Sequence, residues 1–281
     1  MNSTYEIIAE TAARVPEQVA LRFLPKGDPG IAPATYRYRQ LHQQVTRFAN
    51  WLHSRGVGPG DAVSIVLPNL PHFHFAFWGA EAAAIANPIN PGLEAEHMGA
   101  IMRAVRTRVL VTLAPSSPQS LWPKIEIVAA GVPTLERMLT VDPAMFASDK
   151  ANPAPPSCLG SIVVEDFDAA IAQQPGERLL SERTFNPADI AAYFHTGGTT
   201  GVPKVARHTH GNEVAMAQCL ASALELEDGG RFLCGLPLFH VNGITVTGLA
   251  PFLVGGSVLI LTAAGYRGDR KSTRLNSSHR L

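Results

Sequence analysis

The chain has 281 residues, 46% apolar and 16% charged, with 23 basic and 23 acidic side chains. These proportions describe a globular protein and exclude a disordered one. Four of the basic residues fall in the last thirteen positions, and no basic stripe is left elsewhere to bind a nucleic acid. Cys158, Cys219 and Cys234 are too widely scattered for a disulfide framework or a zinc site, and they fit reduced thiols of a cytoplasmic protein. Residues Met1 to Glu6 carry neither the basic nor the apolar region of a secretion signal.

From the N-terminus, Thr4 to Arg14 reads as a helix that stops before Pro16, and Val19 to Leu24 as a strand. Leu41, Val45, Phe48, Ala49 and Leu52 recur at helical spacing and form one apolar stripe. The turn Gly56-Val57-Gly58-Pro59-Gly60-Asp61 ends that helix, and the apolar run Ala62 to Leu67 follows as a buried strand. Helices are expected over Phe73 to Ala84 and Glu94 to Val105, with Asn87 to Pro91 as a turn between them and a strand from Arg108 to Leu113. Continuous apolar strands alternating with helices predict a layered α/β fold with mainly parallel pairing.

Between Asp142 and Cys158 the sequence shifts to Pro, Ala, Ser and Asn, which reads as an exposed connection between regions of about 1–150 and 187–268. Beyond it, Ile190 to Thr196 and Lys204 to His210 read as two strands joined by a glycine-rich segment. A helix over about Asn212 to Leu226 and a strand at Phe232 to Gly235 follow. No Asp, Glu, Lys or Arg occurs from Phe232 to Tyr266, and Ile244 to Leu261 has the length of a bilayer span. Pro251 and Gly255-Gly256 interrupt that run, so a buried helix, a turn and a strand from Ser257 are expected in place of a transmembrane helix.

The segment Thr196-Gly197-Gly198-Thr199-Thr200-Gly201-Val202-Pro203-Lys204 concentrates the chemistry. Gly197, Gly198 and Gly201 let the backbone turn tightly and approach a ligand, while Thr196, Thr199 and Thr200 add hydroxyls and Lys204 a point charge. That set suits a polyphosphate, although a hairpin turn that binds nothing has a similar composition. Pro203 and Val205 around Lys204 break the Walker A pattern, and the strand expected next breaks the dinucleotide pattern. His195, His208 and His210 read as structural. The last two alternate along one strand face without a third ligand, so no metal site is expected.

Read from Tyr193 to Lys204, the segment resembles the phosphate-loop signature of the adenylate-forming superfamily, which includes acyl-CoA synthetases, peptide-synthetase adenylation domains and luciferases. Arg207 to Asn212, Leu236-Pro237-Leu238-Phe239-His240, Gly56 to Val63, Leu67-Pro68-Asn69 and Asn87 to Pro91 resemble its flanking motifs in the same order. The resemblance implies an incomplete, layered αβα N-terminal domain over residues 1–268. It implies ATP, Mg²⁺ and coenzyme A as cofactors, and an enzyme that joins a carboxylate, in all expectation a fatty acid, to AMP and then to coenzyme A. It further implies that Thr196 to Gly201 and Lys204 hold phosphate, with Lys204 and His240 in catalytic roles. His240 would lie near the acyl-adenylate; a satisfied buried histidine at a strand end is its bland alternative. A peptide-synthetase-type adenylation domain and a non-catalytic nucleotide-binding fragment are the competing readings.

The resemblance stops after Gly268. Asp269 to His279 resembles the in-frame translation of a sequencing-library adapter, so residues 269–281 are expected to be an artefactual tail. The family's later motifs are not in the sequence, and the 281-residue chain by itself is expected to be inactive.

Overall fold

The computed structural model describes residues 1–25, 32–117, 120–146, 154–196 and 204–261. In chain order its helices are α1 (Thr4–Arg14), α2 (Tyr38–Ser54), α3 (Pro71–Ala83), α4 (Ala95–Ala104), α5 (Trp122–Ala130), α6 (Phe167–Ala172), α7 (His210–Ala223), α8 (Val241–Ile244) and α9 (Ala250–Leu253). The strands are β1 (Val19–Leu24), β2 (Ala34–Arg37), β3 (Ala62–Val66), β4 (Ile85–Pro88), β5 (Thr107–Leu113), β6 (Arg137–Val141), β7 (Cys158–Leu159), β8 (Ile162–Asp166), β9 (Ile190–His195), β10 (Val205–Thr209), β11 (Arg231–Cys234) and β12 (Ser257–Leu261).

Two sheets result, one of eight strands in the order β10-β9-β4-β3-β5-β6-β8-β7 and one of four in the order β11-β12-β1-β2. Pairing is parallel except for β9 with β10, β7 with β8, and β1 with β2. Both sheets draw strands from either side of the Pro/Ala/Ser-rich connection. β4 pairs with β9, and β1 pairs with β12 through Leu21 and Val258.

Strand alternation assigns residues to two cores. Val109, Val111 and Leu113 of β5 and Leu139 and Val141 of β6 face the larger core, built on α1, α2 and α3. Leu110 and Met138 of the same strands face a smaller one under α4 and α5. The larger core also receives Leu21 and Phe23 of β1 and Val258 and Ile260 of β12, so the first three helices lie between the two sheets.

Local signals account for the element ends. The Ser3 hydroxyl accepts the Glu6 N–H at 3.1 Å and starts α1, whose first turn holds Glu6 and whose last turn holds Arg14, as the helix dipole favours. Helix α3 is buried on all sides. It packs on α2 through Gly79, where a Cβ would stand 2.8 Å from both Phe48 Cδ1 and the Val45 carbonyl. Its buried His74 accepts the Trp78 indole N–H at 3.2 Å, and burial pushes its pKa down to about 3.

Asn87 and Pro88, expected in a turn, instead end the buried strand β4. The N–H groups of Ile85 and Ile89 point to β3. The N–H that Pro88 lacks would therefore point to β9, whose ladder with β4 consists of Ala86 and Ala192 alone. The uncharged segment folds as α8, a π-helical turn Thr245–Leu249, α9 and β12. Among the described residues no helix is long and apolar enough to cross a membrane.

Candidate active site

Strands β4 and β9 run parallel, so both end on one edge of the larger sheet, where ligands of open α/β sheets bind. The chain leaves β9 into the glycine-rich segment and returns as β10, with His195 opposite Val205. Gly197, Gly198, Thr199, Thr200 and Gly201 lie outside the described residues; Thr196 and Lys204 flank them. The Thr196 N–H and hydroxyl both donate to the Lys204 carbonyl, at 3.0 and 3.3 Å, which closes the base of the loop. The Lys204 side chain is exposed at that base.

His195 precedes the loop and is tied to the end of β4. Its Nε2 accepts the Asn90 backbone N–H at 3.3 Å, which puts the ring proton on Nδ1. Burial, then the nearby His240 and His97, hold its pKa below the usual imidazole value, so the ring stays a neutral acceptor. Neither His97 nor Asn90 stood out in the sequence as a neighbour of this loop, because both are far from it along the chain.

After the loop, Thr209 ends β10 and caps α7. Its hydroxyl accepts the Asn212 N–H and the Asn212 side chain accepts the Thr209 N–H, both at 3.1 Å. His210 is therefore the first residue of a helix and does not continue the strand face of His208, contrary to the sequence expectation. The capping box ends the strand one residue early. His210 is fully buried, with Nδ1 3.3 Å from the Thr4 hydroxyl, while His208 packs its ring 4.8 Å from that of Phe194.

His240 occupies the N-cap of α8 and is exposed, with its ring 4.5 Å from Phe239, so the buried-histidine alternative does not hold. Its backbone is fixed from both sides: its N–H donates to the Pro237 carbonyl and its own carbonyl accepts from Ile244. Asn69 joins two separate motifs, accepting the Leu238 N–H at 2.9 Å and donating to the Leu236 carbonyl at 2.9 Å. Gly243 lets the following turn fold back, since a Cβ there would sit 2.0 Å from the Pro237 carbonyl oxygen.

A cavity of about 660 Å³ lies elsewhere, beside Gly60, Asp61, Arg106 and Tyr193, and none of the expected site residues lines it. Arg108 in its wall is engaged by Asp61 at 2.9 Å and by both oxygens of Glu136 at 2.8 and 3.0 Å.

A family model described as AMP-binding enzyme matches residues 8–273. The chain is 35% identical over 253 residues to a marinolic acid–CoA ligase of Pseudoalteromonas, covering 88% of this chain and 36% of that protein. It is 28% identical over 273 residues to a long-chain-fatty-acid–CoA ligase of Bacillus subtilis, covering 91% and 45%. The chain thus spans less than half the length of these curated relatives. Its fold matches the crystal structure of the anthranilate CoA ligase AuaEII in complex with anthranoyl-AMP, with a TM-score of 0.77 at 23% identity over 93% of this chain and 45% of that one. With the family match running over nearly its whole length, the chain belongs to the AMP-binding enzymes.

Proposed function

We propose that the whole protein activates a carboxylic acid, most simply a fatty acid, with ATP to form an acyl-adenylate and pyrophosphate, and then transfers the acyl group to coenzyme A. The observation that carries this reading is the Thr196–Lys204 closure at the carboxyl edge of the parallel strands, with the neutral His195 and the exposed His240 beside it. Such an edge gathers backbone N–H groups, hydroxyls and a cation, as the charge moving onto pyrophosphate requires. In this reading Thr196, Thr199 and Thr200 grip phosphate oxygens, the glycines allow close approach, and Lys204 steadies the leaving pyrophosphate. His240 meets the carboxylate or the α-phosphate.

Among the described residues no group of three or more His, Cys, Asp or Glu side chains converges to hold a metal. In this reading Mg²⁺ accompanies the ATP phosphates. The three free cysteines and the use of ATP and coenzyme A suit the cytoplasm. The test is product formation by the full-length protein from ATP, coenzyme A and fatty acids of graded chain length. AMP released in step with acyl-CoA supports the reading. Acyl transfer only to a carrier-protein thiol would support a peptide-synthetase-type adenylation domain, and no AMP with any acid would contradict both.

A further inference from the structure

The hairpin that carries the glycine-rich loop joins the rest of its sheet through a short ladder. Strands β3 and β4 pair at four positions and β9 and β10 at five, whereas β4 and β9 pair only at Ala86 and Ala192. Backbone N–H groups along a strand point alternately to its two neighbours. Those of Ile85 and Ile89 go to the β3 side, so Ala86, Pro88 and Asn90 face β9. Pro88 has no N–H, and the ladder has ended before Asn90. The donor left over at Asn90 is met by a side chain, Nε2 of His195, at 3.3 Å.

Both partners are held in place by their own strands. The Asn90 side-chain oxygen accepts the Gly92 N–H at 2.8 Å, and its carbonyl accepts the Leu93 N–H at 3.2 Å. His195 pairs with Val205 of β10, and the next residue, Thr196, closes the loop on the Lys204 carbonyl. The imidazole therefore bridges β4 and β9 at the last residue before the loop begins. Its role in the bond is unambiguous, because a backbone N–H can only donate and Nε2 must accept. Burial first, then His240 and His97, favour the neutral ring that this requires.

We propose that His195 is a positioning residue whose Nε2 replaces the missing ladder acceptor and pins the root of the glycine-rich loop to the end of β4. Without the pin, the hairpin is joined to β4 by the Ala86–Ala192 pair alone, and the loop base can shift relative to the sheet edge. The functional consequence rests on the reading of that loop as the ATP polyphosphate cradle; the bond itself does not.

Hydrogen–deuterium exchange at the Asn90 amide of the full-length protein tests the bond without nucleotide. His195→Gln places an amide oxygen near the position of Nε2 and should keep protection within about threefold of wild type. His195→Phe fills the same space without an acceptor and should lose roughly tenfold or more. An unprotected Asn90 amide in the wild type, or equal protection in His195→Phe, would overturn the bond. Carboxylate-dependent ATP–pyrophosphate exchange then reads the positioning role. His195→Phe should lose about tenfold or more and raise the KM for ATP, while His195→Gln restores the rate to within about threefold of wild type. Exchange at the wild-type rate in His195→Phe, or a loss in His195→Gln as large as in His195→Phe, would overturn that role. If His195→Phe does not fold, His195→Ala replaces it in both arms. Amide protection that follows the variants while none of them changes ATP–pyrophosphate exchange keeps the bond and overturns the positioning role alone.

Discussion

The two sheets bury their surfaces differently. In the eight-stranded sheet every residue of β3 is buried, because helices cover both faces there. In the four-stranded sheet β11 reads exposed, intermediate, exposed, buried, and Leu233 keeps 50% of its surface open to solvent. A strand covered on both faces reads as an unbroken apolar run, whereas one covered on a single face alternates. The hairpin with the candidate ATP loop hangs on the edge of the eight-stranded sheet, where β10 is only half-buried and β9 meets β4 through Ala86 and Ala192 alone.

This contrast sets an order of expected effects. Leu139→Ala in β6 should cost about 2–5 kcal/mol by emptying a packed position between layers, measured by chemical denaturation. Gly79→Ala should cost about 1–3 kcal/mol, since its methyl group would press on Phe48 and on the Val45 carbonyl where α2 crosses α3. Asn69→Ala should cost about 1–3 kcal/mol by leaving the Leu238 N–H without its acceptor, and it should lower activity by loosening the segment that ends in His240. Leu233→Thr, on the open face of β11, should change stability by about 0.5 kcal/mol or less while reducing self-association in light scattering. A cost for Leu233→Thr equal to that of Leu139→Ala would erase the distinction between the sheets.

Stability should also depend on pH at the helix layer. Burial first, and the Glu213 charge second, hold the Glu81 carboxyl well above the usual range. Its contribution is therefore complete below about pH 4.3, the ordinary glutamate value, and lost as pH rises through the raised one. The melting temperature of the wild type should fall on the alkaline side more steeply than that of Glu81→Gln.

Local signals made much of this legible in the sequence. The ends of α1 and β1 follow from Pro16 and from the apolar run of Val19 to Leu24. Strand β4 was not legible, because Asn and Pro usually mark turns, and only the short ladder to β9 explains why Pro88 is tolerated. Nor were the contacts of Asn90 with His195 and Asn69 with Leu238. Each joins residues far apart in sequence, and no periodicity encodes such a meeting. His210 was misplaced for a local reason, since the Thr209–Asn212 capping box starts the helix two residues before the expected Asn212.

The proposed chemistry depends above all on the segment from Thr196 to Lys204 gripping the ATP polyphosphate. Carboxylate-dependent ATP–pyrophosphate exchange by the full-length protein, comparing wild type with Thr199→Ala, Thr200→Ala and Lys204→Ala, tests that grip. Each variant should lose roughly 10²-fold or more in exchange while its melting temperature stays unchanged. Exchange at the wild-type rate in all three would contradict the assignment of the loop.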